Sequence, residues 1–263
     1  MAIAELLFWP AVLAYSEAAV AYAGSLRDAS YGRVATWGVR LGWLAQTALL
    51  VVQAARADGF PWDTWAGSLN LFVWFVVGAY LIWGCRARYR LLGLTVMPLA
   101  AALFVLARLG GGTGVGERSH YSNVFLVLHA GLVLAAFAGF TLAAALSGLY
   151  VWQERRLKRH AADLLRLRPP ALVTLDEVAA RTILVALALF TAGIAAGIVR
   201  LVVDGGGLDP LMGITLLAWL VYGAYLVLRH RYGWRGRGAA YLALAGFALV
   251  IAARLGFQLT HFS

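Results

Sequence analysis

The chain alternates between long apolar runs and short polar segments. Eight apolar runs can be read, at about residues 4–23, 34–55, 67–84, 91–109, 122–153, 179–203, 211–228 and 238–259. Because an α-helix rises about 1.5 Å per residue, roughly 20 residues cross a hydrocarbon core of about 30 Å. Runs of this length without alternation are helices, since a lone helix satisfies its own backbone in lipid. The pattern predicts an all-α polytopic membrane bundle of eight transmembrane helices, forming a single domain over residues 1–263.

The composition supports a membrane protein and argues against a nucleic-acid-binding one. Hydrophobic residues make up 62% of the chain and charged residues only 13%, whereas a soluble domain has about 25% charged residues. The formal charge of +10 comes from short basic clusters between apolar runs, not from one continuous basic face. The single cysteine, Cys85, excludes an internal disulfide and a Cys-x-x-Cys thiol relay.

The distribution of basic residues predicts the orientation of the bundle. One set of inter-helix segments holds 16 Lys and Arg residues and the opposite set holds 5, with Arg40 inside a run. Lys and Arg beside membrane spans concentrate on the cytoplasmic side. The richer set is therefore expected inside and both termini outside, in a multi-pass protein of the inner (plasma) membrane. The largest basic segment, 154–181, is expected to contact anionic lipid, with a cytoplasmic partner as the alternative.

Ionisable side chains inside the runs are the candidates for function, because they are costly in lipid unless paired, hydrated or bound. Glu17 and Arg40 fall at similar depth in the inner half of the first hairpin, which predicts a structural ion pair. His129 lies about 10 Å below the outer end of the fifth run, and His261 ends the eighth run at the same side.

Two imidazoles from different helices at one depth fit the two axial ligands of a haem iron. Arg200 and Arg254, also in the outer half, are candidates to neutralise the haem propionates. A lone histidine in a span has a second interpretation, which is a hydrogen bond to a neighbouring helix. His120 competes for the ligand role, but it is nine residues before His129 and hence on the opposite helix face.

The outer segments and the glycines also have alternative interpretations. Trp62 and Trp65 either anchor the chain at the membrane interface or form an aromatic wall for a flat hydrophobic ligand. The glycine-rich segment 110–121 is most simply a loop. Two glycine pairs with four-residue spacing predict close helix packing: Gly38 with Gly42, and Gly193 with Gly197.

Several stretches resemble the cytochrome c assembly family, the CcsA, CcmC and HemX group of haem-handling membrane proteins. The main one is NVFLVLHAGLVLAAFAGFTLAAALSGLYVWQERRLK, in which a span opens with a histidine and ends in an aromatic-Gln-Glu-Arg-x-Leu-Lys signature. The continuation LRLRPPALVTLDEVAARTILVALALFTAGIAAGI, the stretch ITLLAWLVYGAYLVLRHRYGWRGRGAAYLALAGF and the ending LGFQLTHFS are also similar to the family. The resemblance implies that the family's two outward-facing histidines fall on His129 and His261.

The chain departs from the family pattern in one segment. A tryptophan-rich WWD segment is expected between the sixth and seventh spans, where this chain has RLVVDGGGLDPLMGITLLAW. Asp209, Pro210 and Trp219 remain there, but the tryptophan platform is absent. The resemblance is therefore closest to the HemX-like branch.

Taken together, these observations predict a membrane protein that binds or handles haem b in cytochrome c biogenesis. Its expected partners are haem, membrane lipid and another membrane protein of cytochrome c assembly, with no nucleic acid. No catalytic triad, carboxylate pair or Cys/His metal cluster is apparent in the sequence, so no enzymatic activity of its own is expected. The alternative is a non-catalytic scaffold of the same fold that stabilises a partner complex without haem; a small-solute transporter is the third hypothesis.

Overall fold

The structure is a computed structural model that describes most of the chain. It describes residues 2–25, 28, 30–57, 61–62, 64–83, 89–115, 124–159, 170–204 and 210–261. The side chains of residues 2–4, 83, 90, 124–126, 200, 204, 210–211 and 254–261 lie outside the description.

Within these residues the secondary structure consists of eight helices and no strand. They are α1 (Ala2–Gly24), α2 (Tyr31–Arg56), α3 (Trp65–Trp83), α4 (Arg90–Leu109), α5 (Val124–Lys158), α6 (Leu172–Asp204), α7 (Pro210–Tyr232) and α8 (Arg237–His261). The predicted all-α class is confirmed.

Six of the described helices are long and apolar enough to cross a membrane: α1, α3, α4, α5, α6 and α7. In α8 the apolar stretch with described side chains, Arg237–Ala253, is shorter. The α2 helix is less apolar because it carries three arginines and two glutamines. The two amides, Gln46 and Gln53, are nevertheless buried against other helices. A polytopic helical membrane protein is thus confirmed, whereas eight spans with both termini outside stay predictions.

The helices group into two compact units: unit 1 contains α1 to α4 and unit 2 contains α5 to α8. In unit 1, α1 packs against α2 and α4, and α3 packs against α4 and α2. A Cβ at Gly42 would lie 2.6 Å from the Tyr15 ring, and one at Gly38 would lie 3.0 Å from the Ala14 carbonyl oxygen. The predicted close approach at this glycine pair is confirmed. The single domain over residues 1–263 stays a prediction.

The expected ion pair between Glu17 and Arg40 is wrong. Both side chains are exposed, and the Arg40 guanidinium lies over the Trp37 ring, 5.1 Å from its centroid. Gly38 and Gly42 face α1, and Arg40 lies two residues from each, about 180° around α2. Equal depth therefore does not bring these charges together, because Arg40 is directed away from α1.

The described part of unit 2 has an aromatic core and an ion pair with little exposure, Asp176 with Arg229. Helix α5 packs against α6 and α8, and α7 packs against α8 and α6. The Phe140 and Tyr222 rings stack with centroids 3.9 Å apart and an interplanar angle of 4°. Arg229 Nη2 lies 2.7 Å from Asp176 Oδ2, and the Gly236 backbone N–H donates to Asp176 Oδ1 at 3.2 Å. These contacts join the turn between α7 and α8 to the start of α6.

Candidate functional site

His129 is held in a defined orientation by a backbone carbonyl of the neighbouring helix. It lies on α5, five residues after the helix begins, and its imidazole is half-buried. Its Nδ1 is 2.7 Å from the Gly193 carbonyl oxygen on α6. A carbonyl oxygen only accepts hydrogen bonds, so Nδ1 carries a proton and donates. In the neutral ring, Nε2 is then the nitrogen with a lone pair.

This arrangement has the chemistry of a metal-ligating histidine. Such histidines generally donate their second ring N–H to a carbonyl or carboxylate, which sets the tautomer and orients the ring. The hydrogen bond to Gly193 also satisfies the other interpretation of His129, a histidine that joins two helices. The geometry therefore accommodates either role for this imidazole, and in both the ring is oriented before a ligand binds.

The glycine pair on α6 creates the space that His129 occupies. A Cβ on Gly197 would lie 2.7 Å from His129 Nδ1 and 2.8 Å from its Cε1. A Cβ on Gly193 would lie 2.9 Å from Cγ2 of Val133 on α5. The predicted packing role of this pair is confirmed. Sequence reasoning did not connect it with His129, although the pair and the histidine fall on adjacent helices at similar depth.

The remaining unit 2 candidates are placed by their backbones only. Arg200 lies near the end of α6, and Arg254 and His261 lie in the last turns of α8. Their side chains are outside the described part of the structure, as is His120. The pairing of His129 with His261 therefore stays a prediction.

Trp62 and Trp65 belong to unit 1, and both make contacts within it. The Trp62 indole N–H donates to Gln53 Oε1 at 3.2 Å, and the side chain is half-buried. The turn after α4 packs on the Trp65 indole so closely that a Cβ on Gly110 would overlap the ring. Both tryptophans therefore have structural contacts, and their role as an aromatic wall stays a prediction.

A buried amide network lies behind Trp62, and sequence reasoning missed it. The Tyr15 hydroxyl donates to Gln46 Oε1 at 2.8 Å, and Gln46 Nε2 donates to Asn70 Oδ1 at 2.9 Å. Asn70 Nδ2 donates to Gln53 Oε1 and to the Gly112 carbonyl, each at 3.1 Å. The sequence feature that could have predicted this network is the seven-residue spacing of Gln46 and Gln53, which places two amides on one face of an apolar helix.

We expect Asn70→Ala to destabilise the protein by about 2 kcal/mol. The substitution removes three side-chain hydrogen bonds, and each such bond between membrane helices is worth about 0.6 kcal/mol on average. Chemical unfolding in detergent micelles, followed by circular dichroism, measures the effect. Ser16→Ala, at an exposed site on α1, is the matched control and should change stability by less than about 0.5 kcal/mol. Equal stability of the two variants would contradict a stabilising role for the network.

The described residues offer no cluster of metal-binding side chains. They contain no group of three or more His, Cys, Asp or Glu side chains that could hold a metal ion. A haem iron needs only one or two axial ligands from the protein. Of the histidines with described side chains, His129 is oriented by a hydrogen bond to the neighbouring helix and His230 is exposed.

Helices of this length and hydropathy, with an oriented imidazole inside one of them, define a multi-pass α-helical membrane protein with one candidate ligand to a metal or cofactor. Comparison with known families narrows this class. The family model described as "Cytochrome C assembly protein" matches residues 62–262. The chain therefore belongs to the cytochrome c assembly protein family, which makes it a membrane protein of cytochrome c biogenesis.

Curated relatives agree with this assignment over most of their length. The chain is 26% identical to the cytochrome c biogenesis protein CcsA of Gloeothece citriformis, with 85% of this chain and 84% of the relative aligned. It is 26% identical to CcsA of Synechococcus elongatus, with 86% of this chain and 84% of the relative aligned. It is 25% identical to CcsA of Guillardia theta, with 82% of this chain and 79% of the relative aligned. No solved structure matches the chain. The HemX-like branch stays a prediction, since these relatives are named CcsA.

Proposed function

We propose that this protein binds and handles haem b in cytochrome c biogenesis, with His129 and His261 as axial ligands near the outer leaflet of the inner membrane. The observation that carries the proposal is the Nδ1–H donation from His129 to the Gly193 carbonyl. It leaves Nε2 as the nitrogen able to ligate iron, in a ring already oriented by the neighbouring helix.

The first support for a histidine pair comes from the packing of α5 and α8. Arg155, near the end of α5, donates to the hydroxyl of Tyr241, near the start of α8. His129 lies 26 residues before Arg155 and His261 lies 20 residues after Tyr241. The helical rise converts these separations to about 39 Å and about 30 Å from the shared contact. Measured along the helices, His261 is therefore about 9 Å nearer to the Arg155–Tyr241 contact than His129 is.

A second contact gives another estimate of the relative depths of His129 and His261. The Tyr222 ring stacks on Phe140 of α5 and also packs against Gly246 of α8. From this level His129 is about 16 Å away along α5, and His261 is about 22 Å away along α8. The two estimates differ in sign, by about 9 Å and about 6 Å, so a similar depth of the two histidines is consistent with both contacts. Similar depth is what two imidazoles need if they ligate one iron.

Position and composition support the proposed roles of the arginines and the proposed haem type. Gly193, Gly197 and Arg200 are spaced by four and three residues, so Arg200 falls on the α6 face that contains the His129 contact. Arg254 precedes His261 by seven residues and shares its face of α8. We assign both arginines to the propionates. A single cysteine in 263 residues excludes the two thioether bonds of a Cys-x-x-Cys-His attachment, which favours non-covalent haem b.

In this proposal the protein supplies binding and orientation. Haem, when bound, supplies the iron and its redox chemistry. His129 and His261 hold the iron, and Arg200 and Arg254 neutralise the propionates. Trp62 and Trp65, just before and at the start of α3 in unit 1, are proposed by themselves as an aromatic surface for a flat ligand, on the side of the membrane that the positive-inside rule predicts to be outer. Another membrane protein of cytochrome c assembly is the proposed partner, because the names of family and relatives both describe assembly of a cytochrome.

The alternative function is a scaffold of the same fold that stabilises a partner complex without haem. The observation that favours it is the absence of the family's tryptophan-rich segment between α6 and α7. The absorption spectrum of the full-length protein, purified in detergent after haem-replete expression, separates the two functions. We expect a Soret band in stoichiometric amount. A colourless protein that reconstitution with haemin does not convert would overturn haem binding and favour the scaffold.

A further inference from the structure

The end of unit 2 opposite His129 carries a concentration of exposed positive charge. It is formed by the end of α5, the end of α7 and the start of α8, which is joined to α7 by the short turn 233–236. Seven exposed basic side chains lie in these segments within the described residues: Arg155, Arg156, Lys158, Arg159, Arg231, Arg235 and Arg237. This surface is called the basic end below.

Two guanidinium groups from different helices converge on one hydroxyl in the basic end. Arg155 Nη2 on α5 donates to the Tyr241 hydroxyl oxygen at 2.9 Å. Arg237 Nη2 on α8 donates to the same oxygen at 3.3 Å, and its guanidinium also lies over the Tyr241 ring, 5.4 Å from the centroid. Two like charges are thus held close together by a neutral oxygen. An anion bound beside both guanidiniums would offset their mutual repulsion.

The neighbouring carboxylates are engaged elsewhere. Glu154 interacts electrostatically with Arg237, but its carboxylate is bound by Lys158 at 2.8 Å. Asp176 is paired with Arg229 at 2.7 Å. Within the part of the chain that the structure describes, neither Arg155 nor Arg237 forms an ion pair with a carboxylate. Among the described residues the two guanidiniums therefore have no carboxylate bound to them, and Glu154 offsets only part of the charge of Arg237.

Exposed aromatic side chains indicate the depth of this pair of arginines. Trp152, Tyr232 and Trp234 are exposed at the same end, and the Arg156 guanidinium lies 5.5 Å from the Trp152 ring centroid. Tryptophan and tyrosine collect where the hydrocarbon core meets the lipid headgroups. The basic end therefore lies at headgroup level, where the anions at high local concentration are lipid phosphates.

We propose that Arg155, Arg237 and Tyr241 form a binding site for the phosphate of an anionic phospholipid. The phosphodiester oxygens accept hydrogen bonds from both guanidiniums, which bind phosphate in a bidentate manner. The Tyr241 hydroxyl donates to a further phosphate oxygen. The site is 26 residues, or about 39 Å, from His129 along α5. It does not depend on haem binding.

Native mass spectrometry of the full-length protein tests this site. The protein in mixed micelles is titrated with dioleoyl phosphatidylglycerol, dioleoyl phosphatidylcholine or inorganic phosphate alone. We expect saturable binding of phosphatidylglycerol, much weaker binding of phosphatidylcholine, and no displacement of the bound lipid by millimolar inorganic phosphate. Displacement by inorganic phosphate would instead identify a general anion site and overturn the lipid assignment.

Variants of matched charge separate a built site from general attraction. Arg155→Gln with Arg237→Gln and the control Arg231→Gln with Arg235→Gln remove the same net charge. We expect the first pair to weaken phosphatidylglycerol binding at least roughly tenfold more than the control pair. Tyr241→Phe, which leaves the net charge unchanged, should weaken it roughly threefold. Equal losses in the two double variants, with helical circular dichroism retained, would overturn the proposal.

Discussion

Replacing His129 by alanine is expected to abolish the Soret band of the haem-loaded protein or to reduce it to the level of loosely bound haem. The imidazole is the proposed axial ligand, and its Nδ1–H bond to the Gly193 carbonyl orients it before the iron arrives. Removal of the ring takes away both the ligand and the orientation. His261→Ala should also weaken haem binding, and the haem that stays bound should show a shifted Soret maximum, because its iron then keeps one protein ligand. Absorption spectra of the purified variants measure it.

Two controls separate loss of the ligand from loss of the fold. His230→Ala removes an exposed imidazole at the basic end of unit 2 and should leave the spectrum unchanged. His129→Gly should regain a Soret band when imidazole is added to the solution, because the free base can occupy the vacated space. A His129→Ala protein with an unaltered spectrum would show that the iron ligand lies elsewhere, and the proposed site would then be wrong.

Gly197→Leu is expected to lower haem affinity roughly tenfold to a hundredfold, although neither histidine is replaced. That range is typical when a group that orients a metal ligand is changed. The added Cβ alone would lie 2.7 Å from His129 Nδ1. The ring must therefore move, and the hydrogen bond to the Gly193 carbonyl is strained or lost. Titration of the purified apoprotein with haemin, followed by absorbance, measures the dissociation constant.

Graded and matched substitutions make this second prediction specific. Gly197→Ala should give a smaller loss than Gly197→Leu, because the side chain beyond Cβ adds further overlap with the imidazole. Gly223→Leu on α7 is the control, since a Cβ there meets nothing within 4 Å, and it should retain the affinity of the parent protein. If Gly197→Leu and Gly223→Leu bind haemin equally, the close contact with His129 has no functional role.

Helix boundaries show how far hydropathy predicted the fold. The fifth apolar run ends at residue 153, whereas α5 continues into the basic segment to Lys158. The sixth apolar run begins at about residue 179, whereas α6 begins at Leu172. Its first turns contain Asp176, whose charge interrupts the apolar pattern but is compensated by Arg229. Hydropathy detects segments that face lipid, and it misses helical turns whose charges are paired inside the protein.

The paired glycines and the ionisable residues also show that properties of a single helix are predictable, whereas contacts between helices are not. Four-residue spacing predicted correctly that Gly193 and Gly197 allow close packing of α6, because that spacing is a property of one helix. The contact of Gly197 with His129 depends on α5 as well. Glu17 and Arg40 were matched by depth alone, and they do not pair because Arg40 points away from α1. Depth follows from position along a helix, but contact also requires the correct angle around it.

The sequence by itself determined that the chain is a bundle of membrane helices, which of their ends are basic, and which family it belongs to. These properties are local, since the length of an apolar run and the charges beside it do not depend on neighbouring helices. Only the tertiary structure decided that the Gly193 carbonyl orients His129, that Gln46, Gln53 and Asn70 share one buried network, and that Arg155 and Arg237 converge on Tyr241. Each of these contacts joins side chains from different helices or from distant turns. They are set by how the helices rotate and cross when they pack, which no single segment encodes.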